Sequence, residues 1–212
     1  MIFSFDFDGT LVDSYTIIPS IYEKIKDEMG LDNGFVEAML MVEELGDYFG
    51  IFERGKWIKL IFGEDTDYII NKYWKLRMEN QIILPKTIDF LEKYKDKVDM
   101  YLITSKDDTK EIKMKRIKKT GLDKYFNDIL IYGTEEFKSL EDAIEYLMDI
   151  GKIEFYIDDK NTNLDKVHRR FDIKLFKRIY YPPYPLKLAW YYPKVDFPKV
   201  LNLLELEKYI KI

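Results

Sequence analysis

The stretch Ile2-Phe3-Ser4-Phe5 runs directly into Asp6-Phe7-Asp8-Gly9-Thr10. Its aromatic and branched apolar residues have the composition of a buried strand, yet the strand ends in two carboxylates one residue apart. Taking a carboxylate out of water costs several kcal/mol unless a partner offsets it, so Asp6 and Asp8 require one. Carboxylates can act as nucleophiles, as acids and bases, or as ligands of a hard cation. Other chemistries are restricted: the chain has no cysteine and a single histidine, His168. Disulfides, zinc-thiolate sites, thiol nucleophiles and histidine-rich metal sites are therefore excluded. His168 reads as an exposed helix residue without a role.

The partners emerge from the elements that must position these acids. Short apolar runs occur at Ile2 to Phe5, Met100 to Ile103, Ile129 to Tyr132, Ile153 to Ile157 and Ile173 to Phe176. They are nearly continuous, as in strands of a parallel sheet covered on both faces. Helical patterns separate them: Thr87 to Tyr94, Thr109 to Lys119 with Gly121 as a stop, and Ser139 to Ile150 with Asp142 completing its start signal. This alternation predicts a doubly wound α/β sheet. Between Tyr15 and Gln81 the rhythm changes to helical segments around Ile17 to Met29, Phe35 to Phe49, Trp57 to Phe62 and Tyr68 to Met78. They read as a helical insertion joined near Val12 to Ser14 and near Ile82 to Pro85.

Ligands bind a parallel sheet at the carboxyl ends of its strands. Those ends carry Asp6 and Asp8, Thr104 and Ser105, and Asp158 and Asp159, with Lys138 just before the helix that leads to the last pair. Four acids at one edge repel one another and read as an oxygen-ligand site for Mg2+, held by Asp6 and Asp159 with Asp158 as a further ligand, and by the backbone carbonyl of Asp8. Asp6 then stays ionised as a nucleophile able to form an aspartyl-phosphate. Thr104, Ser105, the Gly9-Thr10 turn amides and a lysine would hold phosphoryl oxygens.

The formal charge is −5, from 34 basic and 39 acidic residues, and lacks the basic footprint of a nucleic-acid binder. The basic run Lys110 to Lys119 reads as a solvated helix face beside Ile112, Met114 and Ile117. No stretch approaches a membrane span and no basic leader precedes the first apolar run, so a cytoplasmic protein is expected, with no nucleic-acid or membrane partner. Oligomeric state is open. The Tyr/Pro-rich stretch Tyr180 to Pro193 is expected to cover a sheet edge.

"DFDGTLVDS" resembles the first motif of the haloacid dehalogenase (HAD) superfamily. "YLITSK" is similar to its second motif, Lys138 to its third and "FYIDD" to its fourth, over Met1 to about Phe176. The helical insertion resembles the cap of the phosphoglycolate phosphatase-like branch. The resemblance implies a Rossmann-like core of residues 1–14 and 83–212 with a helical cap of residues 15–82. It implies that Asp6 attacks phosphorus, that Asp8 protonates the leaving oxygen and then activates water, and that Thr104 and Lys138 hold the phosphoryl group. Lys106, Lys113 and Lys115 are the other candidates for that lysine. An acid at Asp8 fits phosphoryl transfer, whereas the dehalogenases lack it. The fourth motif departs from its usual form, with Asp158 in a glycine place and Asn163 in an acid place. In capped relatives a loop similar to "FERGKWIK" reaches the substrate, which nominates Arg54 and Lys56.

The function expected is Mg2+-dependent hydrolysis of a small phosphorylated metabolite. A phosphomutase of the same branch, a receiver-like module phosphorylated on aspartate and a non-catalytic relative are the alternatives.

Overall fold

Phe3 and Phe5 pack on one side of the first strand and Ile2 on the other, and all three are buried. Covering on both faces is why the run is apolar without alternating. A computed structural model describes residues 1–51, 53–63, 66–180 and 195–210. Strand β1 is Ile2–Phe5, followed by β2 (Val12–Asp13) and then by helices α1 (Ile18–Met29), α2 (Gly34–Phe49), α3 (Arg54–Phe62) and α4 (Asp67–Asn80). The chain continues through β3 (Ile82–Ile83), α5 (Thr87–Tyr94), β4 (Asp99–Ser105), α6 (Lys110–Thr120) and β5 (Asp128–Tyr132). It then forms α7 (Leu140–Ile150), β6 (Ile153–Asp158), α8 (Asn161–Arg170), β7 (Lys174–Arg178) and β8 (Lys199–Val200).

Six strands form one parallel sheet in the order β5-β4-β1-β6-β7-β8. Helices α5 and α6, with a short 3-10 segment at Leu203–Lys208, cover one face, and α7 and α8 cover the other. This is an α/β Rossmann-like fold. The chain leaves β1 toward β4 and β5, then crosses to β6 on the other side, so the strand order reverses at β1. The crevice at such a reversal is where ligands bind, and β1 delivers Asp6 there.

Between β2 and β3, which pair antiparallel, the four helices α1 to α4 build their own core around Tyr22, Met39, Ile58, Tyr73 and Trp74. The stacked rings of Tyr22 and Tyr73 lie 5.4 Å apart. Their hydroxyls both donate to Glu43, at 2.6 Å each, and Glu43 pairs with Arg54 at 2.8 Å. Hydrogen bonding and the ion pair offset the burial of that carboxylate.

Two sequence expectations need correction. The last apolar run was expected to end at Phe176, but β7 continues through Lys177 and Arg178, which are buried. A charge reads as the end of a strand, whereas long basic side chains bury their stems within one. The basic run on α6 is not simply a solvated face: Lys113 and Arg116 are among the most deeply buried side chains. Of the Tyr/Pro-rich stretch only Tyr180 lies within the described residues. Among these, no helix is long and apolar enough to cross a membrane.

Candidate active site

The ladder of β1 extends one residue past the strand, where the Asp6 N–H donates to Ile157 O at 2.9 Å. This places Asp6 beside Asp158 and Asp159 at the end of β6. Each of these three buried acids offers an oxygen, all within 4.8 Å of one another. Asp158 is tightly oriented: Oδ2 accepts from the Tyr156 hydroxyl at 2.5 Å and from Asn163 at 2.9 Å, and Oδ1 accepts the Lys160 N–H at 2.7 Å. Asn163, in the acid place of the fourth motif, therefore orients an acid. Burial, then the charges of Asp158, Asp159 and Asp8, push the Asp6 carboxyl well above the usual carboxylate range, against the pull of Lys160. Crowded oxygen donors whose leading member resists ionisation fit a hard divalent cation, which would remove that penalty.

Gly9 lets Asp159 approach. Its φ is +79°, and a Cβ added there would fall 2.3 Å from Asp159 Oδ2. Only glycine meets both demands. Thr10 is buried beside it, its hydroxyl without a hydrogen-bond partner among the described residues. Thr104 is likewise buried at the end of β4, and its hydroxyl too has no hydrogen-bond partner among the described residues. Ser105, the next residue, lines the cavity beside Asp6.

The Asp8 carboxylate has partners of its own. It is not part of the acid trio but turns to α6, where Oδ2 meets Lys113 Nζ and Oδ1 meets the Arg116 guanidinium and the Ser14 hydroxyl. Asp107 closes the cluster, 3.1 Å from Lys113 and 3.0 Å from Arg116. Burial raises the Asp8 carboxyl, but Arg116, Lys113 and Arg77 outweigh it and hold it well below the usual range. The acid still lines the cavity that holds Asp6. A carboxylate two residues from Asp6 has a nearby acid trio to avoid or join; direct ion pairs with α6 decide the matter.

Lys138 is not brought to this site. Ser139 caps α7 in a capping box with Asp142, and the N–H groups of Lys138 and Ser139 both donate to Asp142 Oδ2 at 3.0 Å. This leaves Lys138 exposed and off the cavity wall. The lysine that lines the cavity is Lys160, which caps α8 and lies 5.3 Å from the centre of the Tyr15 ring. Its position next to the acid pair in "YIDDK" was the signal. Of the loop residues, Arg54 is buried against Glu43, whereas Lys56 is exposed and paired with Glu53. Sequence reasoning also missed Arg116 and Ser14, which hold Asp8 together with Lys113, a residue nominated only as an alternative phosphoryl-binding lysine.

Tyr48 in the last turn of α2 and Gly50 just past its end also line the cavity, and α3 and α4 are tied to the core. Asp108, after β4, accepts from the Gly55 N–H at 2.9 Å and from the Trp74 indole at 2.5 Å. Gln81 donates to Arg116 O at 2.7 Å.

A Rossmann-like sheet with an acid trio at its strand reversal and helices roofing it defines a class of hydrolase scaffold. Residues 3–163 match the family model of haloacid dehalogenase-like hydrolases. The chain belongs to this family and is a hydrolase of the HAD superfamily. No curated protein matches it significantly. Among solved structures it is similar to a protein from Bacillus subtilis classed with the HAD hydrolases, in a structure bound to magnesium that reveals interdomain movement (14% identity, 100% of this chain and 98% of that one, TM-score 0.69). It also resembles a haloacid dehalogenase-like hydrolase from Streptococcus pneumoniae (17%, 99% and 98%, 0.65). A third likeness is to L-2-haloacid dehalogenase from Xanthobacter autotrophicus with chloropropionic acid covalently bound (10%, 99% and 99%, 0.66). At these identities the likeness is one of fold.

Proposed function

We propose that this protein is a Mg2+-dependent phosphatase that hydrolyses a small phosphomonoester through an aspartyl-phosphate on Asp6. The observation that carries the reading is the convergence of Asp6, Asp158 and Asp159 oxygens within 4.8 Å. Phosphoryl transfer to a carboxylate brings two anionic groups together and needs a cation between them, whereas displacement of halide from carbon does not. Asp6, Asp159 and the well-oriented Asp158 would hold Mg2+, which supplies charge neutralisation for the transferring phosphoryl oxygens.

The chain's own groups supply the rest. Asp6 attacks phosphorus, and the P–O bond to the alcohol breaks. Lys160 takes the neutralising role expected of Lys138, and the unpartnered hydroxyl of Thr104 is available to a phosphoryl oxygen. Asp8, kept as a carboxylate by Lys113 and Arg116, is suited to take the proton of the water that hydrolyses the acyl phosphate. Its earlier role as acid toward the leaving oxygen requires its ion pairs to open as substrate binds. Residues 15–82 act as a cap that excludes water and contacts the leaving group.

The test is phosphate release from a panel of phosphomonoesters with and without Mg2+, with Asp6→Asn as the control. Equal activity of wild type and Asp6→Asn would defeat the reading.

A further inference from the structure

Strand β5 ends in Tyr132, and the connection from there to α7 carries Lys138. Lys138 stays outside with the capping box, so the side chain that reaches the cavity from this part of the chain is Tyr132. The sheet fixes its place. β5 pairs with β4 in the register Ser105 to Tyr132, and the Lys106 N–H donates to Tyr132 O at 2.8 Å. Tyr132 is 7% exposed and lines the cavity together with Asp6, Ser105 and Lys160. In the strand order β5-β4-β1-β6 it comes from one side of Asp6, whereas Lys160, just after β6, comes from the other.

The two ends of the Tyr132 side chain have different surroundings. Its ring belongs to the apolar cluster that includes Leu140, Ile144 and Leu147 of α7. Its hydroxyl stands in the field of the acids: burial first, then the charges of Asp6 and Asp158, push the phenol well above its ordinary value, while a hydrogen bond with the Ser105 side chain draws it down. The phenol therefore stays neutral near pH 7 and keeps its O–H proton, close to where charge gathers on a phosphoryl group at Asp6. Tyr156 provides the contrast. Its hydroxyl donates to Asp158 Oδ2 at 2.5 Å, so it orients an acid, and it is not part of the cavity wall.

We propose that Tyr132 is a further catalytic residue, whose hydroxyl donates a hydrogen bond to a phosphoryl oxygen from the β5 side, across the cavity from Lys160. The inference rests on the phosphatase reading for the place of the phosphoryl group. The proton stays on the phenol throughout, and no bond to it is made or broken. A neutral donor stabilises the charge spread over the phosphoryl oxygens in transit. Unlike an ammonium, it adds no positive charge to repel Mg2+ from Asp6.

The test compares wild type with Tyr132→Phe, which removes one oxygen and keeps the ring in its apolar cluster. Calorimetry measures binding of Mg2+, and then, with Mg2+ present, of inorganic phosphate and of orthovanadate, whose five-coordinate form resembles the phosphoryl group in transit. Tyr132→Phe is expected to bind vanadate about tenfold or more weakly and phosphate within about threefold of wild type, because the donor acts most strongly on the transition state. Mg2+ affinity is expected to be unchanged. On p-nitrophenyl phosphate kcat is expected to fall about a hundredfold, with KM within about threefold. Equal vanadate binding, or an equal kcat in an active enzyme, would overturn the role and leave the phenol as packing. A loss of vanadate binding matched by an equal loss of Mg2+ affinity would overturn it too, as would binding of vanadate by neither protein. Vanadate binding that depends on the hydroxyl, in a wild type that releases no phosphate, defeats hydrolysis alone; phosphate release that is the same in both proteins defeats the Tyr132 role alone.

Discussion

The ammonium of Lys113 lies against the carboxylate of Asp8, 105 residues away in the chain, with both side chains nearly excluded from solvent. A helix that by its sequence could have been a wet basic surface is instead pinned to the acid two residues after Asp6. Arg116, one turn on, holds the other carboxylate oxygen. Removing one member of such a cluster leaves two buried carboxylates to share a single guanidinium, which is worse than removing one charge of each sign. Lys113→Met is therefore expected to destabilise the protein by about 3 kcal/mol or more, and Asp8→Asn combined with Lys113→Met by less than the sum of the single changes. Urea denaturation of the four proteins checks this, and strict additivity would mean the contact contributes nothing.

The acid trio makes a prediction whose sign depends on pH. In the unfolded chain Asp6 ionises near 4, while in the fold its carboxyl is held well above that. Between the two values the folded chain keeps the extra proton, so the stability this contributes is lost as pH rises. Asp8 acts in the opposite sense: its folded value is depressed, so its contribution is present above the unfolded value and lost as pH falls. Without metal, Asp6→Asn is expected to melt above wild type near neutral pH. Mg2+ is expected to raise the melting temperature of wild type, more at neutral pH than near pH 5, because protons compete for the same oxygens. Melting curves with Mg2+ and with a chelator decide it; a response independent of pH would contradict the ligand assignment.

Gly9 is predicted to be irreplaceable for cation binding. Alanine there would demand a left-handed backbone from a residue with a Cβ, and would drive that carbon into the Asp159 carboxylate. Gly9→Ala is expected to weaken Mg2+ binding about tenfold or more while costing about 1–3 kcal/mol of stability. Calorimetric titration of Mg2+ reads the first and urea denaturation the second. Unchanged Mg2+ affinity would show that Asp159 is not held where Gly9 allows it.

The acid residues and the sheet were legible in the sequence because both depend on local signals. An apolar run that stops at Asp6, and another that stops at Asp158, state where strands end and what they deliver. The capping box at Ser139 and Asp142 was readable for the same reason, since its partners are three residues apart. What stayed hidden depends on which way a long side chain points. Lys113 and Arg116 lie in a run of ten residues with six basic ones, and nothing local separates those that face Asp8 from those that face water. Lys138 satisfied the motif spacing, but the cap geometry of its own helix turns it outward. Arg77 did carry a signal: it follows Ile69 and Tyr73 at helical spacing, so an arginine stands on an apolar stripe.

The two lysines make the last prediction. Lys138 occupies the expected place in the sequence, whereas Lys160 occupies the place in space, on the wall of the cavity with Asp6. An ammonium that neutralises a phosphoryl oxygen acts most strongly where water is excluded, and removing one such group typically costs about a hundred- to a thousandfold in turnover. Lys160→Met is expected to lose activity on that scale. The Lys160 ammonium acts on Asp6 as a positive charge that repels a cation brought to the same carboxylate, so the variant should bind Mg2+ no more weakly than wild type and show its loss in catalysis. Lys138→Met, at an exposed position that uses only its backbone N–H to complete a cap, is expected to stay within about twofold of wild type. Steady-state kinetics on one phosphomonoester, with both variants beside wild type, separates the two. A large loss at Lys138 with none at Lys160 would return the phosphoryl-binding role to the residue chosen by motif spacing, and would require α7 to reorganise its amino-terminal turn when substrate binds.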